Sequence, residues 1–211
     1  YCIADDPHEL NNLVADPDYR EVLDNLRNRL RQLLLQTRDS GLVPEGMLSH
    51  LVGDRTVYEY CQSAAYPLAE LLELAELASL GEGANLNRLR EALGSPQPLQ
   101  RYWGAMGCLI LGDQAVSARK ELQSLLQDEY ADIRVVAAEA LCHLGDTEQA
   151  LPVLGRVLRE GATYEVLAAQ NALDFLQSGG NLPLETVKEL LRDLKFTEPN
   201  QRIPEYLLQI P

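Results

Sequence analysis

Three histidines, four cysteines and one pair of adjacent aspartates are the residues of this chain best suited to metal binding or nucleophilic catalysis, and their spacing argues against both. His8, His50 and His143 are too few and too scattered for a His-based metal cluster. Cys2, Cys61, Cys108 and Cys142 form no C-x-x-C pair, which removes local support for zinc or thioredoxin-type chemistry. Cys108 and Cys142 lie in apolar helical patterns, where a free thiol behaves as a small hydrophobe. His143, between Cys142 and Leu144, reads as a packed or half-exposed structural residue. Asp5-Asp6 precede Pro7, and a turn accounts for them better than a metal does. With no nucleophile–base or metal constellation, the chain by itself is expected to be no enzyme. It is expected to hold no catalytic residue, no metal ligand and no cofactor site.

What remains is recognition chemistry. Tyr102, Trp103, Tyr130 and Tyr164 fall at the starts of predicted helices, where flat aromatic faces can stack on sugar rings or pack between repeats. Arg159 and Arg192 occupy equivalent positions 33 residues apart, a weak basic stripe whose default is a solvated helix face. Asp132 and Arg134 read either as a surface recognition pair or as bonds between neighbouring repeats.

The net charge of −14 narrows the partners. An acidic surface repels nucleic acid and anionic membrane, both of which require Lys and Arg to displace counterions. It also repels a sulfated polysaccharide unless basic residues gather locally. No apolar stretch reaches the length of a transmembrane helix. The opening Tyr-Cys-Ile-Ala-Asp-Asp has no basic leader region and no Met, and reads as the start of an excised fragment.

The elements that position these residues repeat. Leu111-Gly112-Asp113 returns as Leu144-Gly145-Asp146, with Arg101 matching Arg134 and Ala105 matching Ala138, all 33 residues apart. The Val135–Leu141 stretch returns, in type, as Leu167–Leu173 at a spacing of 32. Self-similarity at such a period signals stacked helix pairs, each unable to bury its apolar face alone. The pattern predicts a helix from about 17 to 39, with Asp16 as cap and Pro17 at the first position. Along it, Leu23, Leu26, Leu30, Leu33 and Leu34 are interleaved with Arg and Asp. Residues 1–4 read as a short strand, and 42–66 as a wrapping loop with short helical turns. Helices are expected from 67 to Gly81, after an Asn85 cap to Gly94, and near 98–111, 115–127, 131–144, 147–160, 163–177 and 184–195. Residues 197–211, with Pro199, Pro204 and Pro211, read as a C-terminal tail.

The helix pairs over 67–195 resemble HEAT-type repeats, most typically in Asp132–Leu141 followed by Leu144-Gly145-Asp146. The period of 31 to 33 is shorter than the ~40–47 of long HEAT units and closer to the compact variety of phycobilisome-lyase-like proteins. The resemblance implies an all-α fold, a right-handed α-α superhelix.

Residues 1–66 carry a second resemblance. Tyr1-Cys2-Ile3-Ala4-Asp5-Asp6-Pro7-His8-Glu9-Leu10-Asn11-Asn12-Leu13 is similar to the closing segment of type I (formylglycine) sulfatases, in which a Tyr-Asp-Leu strand leads into Asp-Pro-x-Glu-x-x-Asn-Leu and a long terminal helix. Asp16-Pro17-Asp18-Tyr19, the helix after it and Gly41-Leu42-Val43-Pro44-Glu45 continue the pattern. Gly53–Glu59 resembles an extension seen in some bacterial sulfatases. Cys2 stands where the family usually has Asp. The family's C/S-x-P-x-R motif is absent. The implied organisation is a sulfatase C-terminal segment and linker over 1–66, followed by a HEAT-like domain with its tail over 67–211. The implied function is a non-catalytic scaffold or protein-interaction module beside a sulfatase catalytic domain, which would itself hold calcium. The alternative is an accessory domain that positions a sulfated glycan for a sulfuric ester hydrolase. The expected partner is that catalytic domain or another protein, with no nucleic acid and no membrane. Periplasmic or extracellular placement follows only if the sulfatase resemblance holds.

Overall fold

The computed structural model describes residues 1–210 and is all-α, with no strand among them. Pro211, which the sequence places in the tail, lies outside the described residues. The chain divides into two compact units, Tyr1–Asp39 and Ser40–Pro211.

The first unit opens in turns, not in the expected strand. The amide N–H groups of Asp5 and Asp6 both donate to the Cys2 carbonyl, at 3.0 and 2.7 Å. A strand needs a neighbour to receive its donors, and here they are satisfied locally. The Asp6 carboxylate accepts the backbone N–H groups of Leu10 (3.1 Å) and Asn11 (2.7 Å). Those bonds hold it below the usual carboxylate range. Asp16 caps as expected, accepting from the Asp18 N–H, and a 3-10 turn Pro17–Tyr19 leads into α1 (Arg20–Thr37). The helix ends because Arg38 turns left-handed (φ 54°).

The second unit begins with two short helices, α2 (Glu45–Val52) and α3 (Val57–Gln62), where the sequence predicted mostly loop. The missed signal is a capping box: the Thr56 hydroxyl accepts the Glu59 N–H while Glu59 accepts the Thr56 N–H. There follow α4 (Leu68–Ser79), α5 (Leu86–Leu93), α6 (Pro98–Leu111), α7 (Arg119–Leu125), α8 (Ala131–His143), α9 (Thr147–Glu160), α10 (Thr163–Ser178), α11 (Leu184–Leu191) and α12 (Arg202–Gln209). Three boundaries differ from expectation. Asn85 stands at the N-cap of α5 as expected but makes no side-chain cap bond; its side-chain amide donates to the Leu77 carbonyl. The stretch after Leu111 runs as 3-10 helix until Ala118. The proline-bearing tail folds as α12, since Pro204 falls in the first turn, where no amide donor is required.

The helices α4, α6, α8 and α10 are successive neighbours in one layer, and α5, α7 and α9 back it. Between them lie Leu71, Leu89, Leu99, Ala105, Leu122, Ile133, Ala138, Leu141, Leu154 and Leu173, all at most 1% exposed. Each buried Leu or Ile side chain contributes about 1.5–3 kcal/mol. Gly107 sets the approach of α6 to α5, since a Cβ there would lie 2.4 Å from Leu89 Cδ2.

Local geometry recurs with the repeat. The Ser95 hydroxyl accepts the Gln97 N–H, and the Asp128 carboxylate accepts the Tyr130 N–H, the same turn 33 residues on. Arg101 donates to the carbonyls of Ser95 and Pro96, as Arg134 does to those of Asp128 and Glu129. Gly112 and Gly145, also 33 apart, both take positive φ (53° and 86°) at the turns after α6 and α8.

Candidate functional site

The repeat turns are joined by charge pairs. The Arg101 guanidinium forks onto Asp128 at 2.7 and 3.1 Å, with the two side chains only 13% and 5% exposed. Arg119 pairs with Asp146, the aspartate of the recurring Leu-Gly-Asp, and also donates to the Leu144 carbonyl. Arg90 of α5 pairs with Glu121 of α7, which holds Glu121 below its ordinary value. Asp132 and Arg134 behave otherwise than expected. Arg134 serves the turn before its own helix, and Asp132 is buried without pairing to it.

Asp132 belongs instead to a polar cluster formed where α2 crosses the starts of α8 and α10. Its Oδ2 is buried and has no hydrogen-bond partner. Burial first, and the neighbouring Glu165 second, push its carboxyl up to about 6, against smaller opposing effects of His50 and Arg134. Glu165 of α10 accepts the Ala162 N–H at 2.7 Å, and its other oxygen lies 3.5 Å from His50 Nε2. The His50 ring meets Tyr130 edge-on, with centroids 6.1 Å apart. Gly46 makes the crossing possible: a Cβ there would fall 2.4 Å from Asp132 Oδ2. Two carboxylates and one imidazole thus meet at one helix crossing. Among the described residues no three His, Cys, Asp or Glu side chains are grouped to hold a metal ion.

The aromatic candidates separate into packed and open. Trp103 is half-buried, its indole N–H donating to the Leu42 carbonyl at 2.9 Å and so fixing the chain entering α2. Tyr102 meets it edge-on, with centroids 5.8 Å apart. Burial, then Asp132 and Glu139, push the Tyr102 phenol up to about 12. Tyr130 is half-buried against His50, whereas Tyr164 is 49% exposed. Tyr164 lines an open cavity of about 440 Å³ with Glu45, Gly46, Leu48, Ser49, Ala162 and Thr163. Arg159 and Arg192 are both exposed, at the ends of α9 and α11. The structure therefore places Tyr102, Trp103, Tyr130 and Tyr164 around the α2 crossing and leaves the two arginines elsewhere.

Cys61, Cys108 and Cys142 are buried and outside any disulfide, and the burial of the last two is as the apolar patterns around them imply. Burial pushes the thiols of Cys108 and Cys142 up to about 12, which keeps them unreactive. The sequence reading missed Glu139, buried on α8 and pushed up to about 7 by desolvation. The signal was a lone Glu inside Val-Val-Ala-Ala-Glu-Ala-Leu. It also missed the amide pair that fastens the C-terminal segment: Gln170 donates to the Asn200 carbonyl, and Asn200 to the Thr163 carbonyl, both at 2.9 Å.

A comparison with known protein families finds no match for this chain, and a comparison with curated proteins finds none either.

Proposed function

We propose that this chain is a non-catalytic module of HEAT-like repeats, a right-handed α-α superhelix acting as scaffold or protein-interaction surface beside a sulfatase catalytic domain. One observation carries the reading. The turn at Ser95 and Asp128, the arginine six residues after it and the left-handed glycine beyond recur at a single spacing of 33. The Arg101–Asp128 and Arg119–Asp146 pairs then tie one unit to the next. Recurrence of local bonds together with bonds between neighbours is the arrangement expected of a linear repeat array.

The sulfatase part rests on the resemblance of residues 1–66. It predicts a C/S-x-P-x-R motif in the reading frame upstream of Tyr1, and a stop codon directly ahead of Tyr1 would overturn it. The chain itself should not hydrolyse a chromogenic aryl sulfate in the presence of calcium. Turnover that survives repurification would sink the non-catalytic reading. The sulfated-glycan alternative predicts retention on heparin at physiological salt, lost in Arg159→Ala/Arg192→Ala. With Glu160, Glu189 and Asp193 beside those two arginines and a chain charge of −14, no retention is expected.

A further inference from the structure

We propose that α2 is an acid-set latch, which closes on the starts of α8 and α10 when Asp132 and His50 carry protons and loosens when they lose them. This goes beyond the interaction-module reading and does not depend on it. A helix of eight residues is unstable alone in water, so α2 is held by what it touches. Met47 is its apolar anchor and is fully buried. Its polar contacts at the crossing are made by groups whose charge depends on pH. Gly46 and His50, four residues apart, present one face of α2 to two carboxylates. A Cβ on Gly46 would lie 2.4 Å from Oδ2 and 2.8 Å from Oδ1 of Asp132, so the helix backbone itself rests against that carboxyl group. Oδ2 is buried and has no hydrogen-bond partner among the described residues. One turn on, His50 Nε2 lies 3.5 Å from Glu165 Oε1.

The groups that face Asp132 are Glu165 of α10, His50 of α2, Arg134 of its own helix and Tyr102 of α6. Tyr130, just before α8, stands edge-on to His50. Arg134 is engaged by the carbonyls of Asp128 and Glu129. Tyr102, pushed up to about 12, keeps its proton across the neutral range. Asp132 and His50 therefore set the sign. A protonated Asp132 is neutral beneath α2, whereas an ionised one is a buried charge that faces Glu165 without a bonded cation. A protonated His50 supplies Glu165 with a cation, and a neutral one leaves the two carboxylates to repel each other. Both protons favour closure. Burial and Glu165 hold Asp132 at about 6 in the seated state, and release returns it to the ordinary carboxylate range. Closure is thus complete below about pH 4 and weakens as pH rises through 6.

The test is amide hydrogen exchange on the whole chain between pH 4.5 and 7.5, corrected for the intrinsic pH dependence of exchange. Protection of residues 48–52 should fall more than about tenfold over that range, as a raised carboxyl of this size requires. At pH 7.5 it should lie at least about tenfold below the protection of α8, because the latch opens without global unfolding. Asp132→Asn should leave less than about a threefold fall. His50→Gln should lower protection of α2 at pH 4.5 and leave it unchanged at pH 7.5. Equal protection of α2 at both pH values overturns the proposal, as does an undiminished fall in Asp132→Asn. Equal protection of α2 and α8 would mean that α2 opens only with the whole fold, and overturns it too.

Discussion

Helices α1 and α8 are both rich in aliphatic residues, yet one buries nothing and the other nearly everything. Every residue of α8 from Ala131 to Cys142 except Arg134 is buried, including Asp132 and Glu139. The difference lies in pattern more than in hydrophobicity. In α8 small and branched residues occupy all sides, Val135, Val136, Ala137, Ala138 and Ala140 in succession, so the helix suits a position flanked by α6, α7, α9 and α10. In α1 most leucines are interleaved with Arg, Asp and Asn, so charged and polar residues are spread along the helix. Leucine content alone would have ranked the two helices in the wrong order.

The sharpest way to break this comparison is to place the same charge in each helix. Ala138 is fully buried, and Ala138→Asp puts an unpaired carboxylate between helices, at a cost of about 3–5 kcal/mol. In a chain of this size that lowers the melting temperature by roughly 6–20 °C, read by circular dichroism. Leu26→Asp on α1 should move it by less than about 2 °C, as for an exposed substitution. A large effect at Leu26, or none at Ala138, would mean that the two environments have been misread.

Next in size is the ladder between repeats. Arg101→Ala leaves the buried Asp128 carboxylate without its fork and should cost about 2–4 kcal/mol in urea denaturation. Arg88→Ala, which removes an exposed i,i+3 pair with Glu91, should cost less than about 0.5 kcal/mol. Equal effects would dissolve the distinction between repeat bonds and surface pairs. Gly107→Leu falls in the same range, about 1–3 kcal/mol, because the new side chain must enter the volume held by Leu89.

The smallest effect is in pH dependence. Burial raises Asp132 to about 6 and Glu139 to about 7, above the ordinary carboxylate range that they have in the unfolded chain. The folded state therefore holds these two protons more tightly. Their contribution is complete below about pH 4 and is lost as pH rises through 6 and 7. Asp132→Asn/Glu139→Gln should accordingly gain stability relative to the native chain between pH 4.5 and 7.5, read as a difference in urea midpoints. A constant difference across that range would show that neither group is protonated in the fold.

Much of this was legible beforehand. The helices from Pro98 to Ser178 fell close to their predicted limits because glycines, prolines and a regular period punctuate them, and those signals act within a few residues. The 42–66 stretch was read as loop with short helical turns because α2 and α3 are short: α2 depends on contacts with α8 and α10 made far along the chain, whereas α3 is started by the local Thr56–Glu59 capping box. Asp132 was read either as a surface recognition residue or as a bond between neighbouring repeats, and it is neither, because its surroundings are supplied by a distant segment. The Asp type is usually solvated, but Gly46 of α2 lies directly against the Asp132 carboxylate, which is buried.

The sequence by itself determined the all-α class, the spacing of the helix pairs, the burial of Cys108 and Cys142 and the acidic net charge. Each of these follows from residue type and local order. Only the tertiary structure decided that Trp103 fastens the chain at Leu42, that His50 faces Glu165, and that Arg101 reaches Asp128 while Arg134 does not reach beyond its own turn. The first three pairings join residues from 27 to 115 positions apart, and the last distinguishes two arginines at equivalent positions of the repeat. Local periodicity carries no information about distances of that kind, which are fixed only when layers of helices close on one another and water is expelled between them.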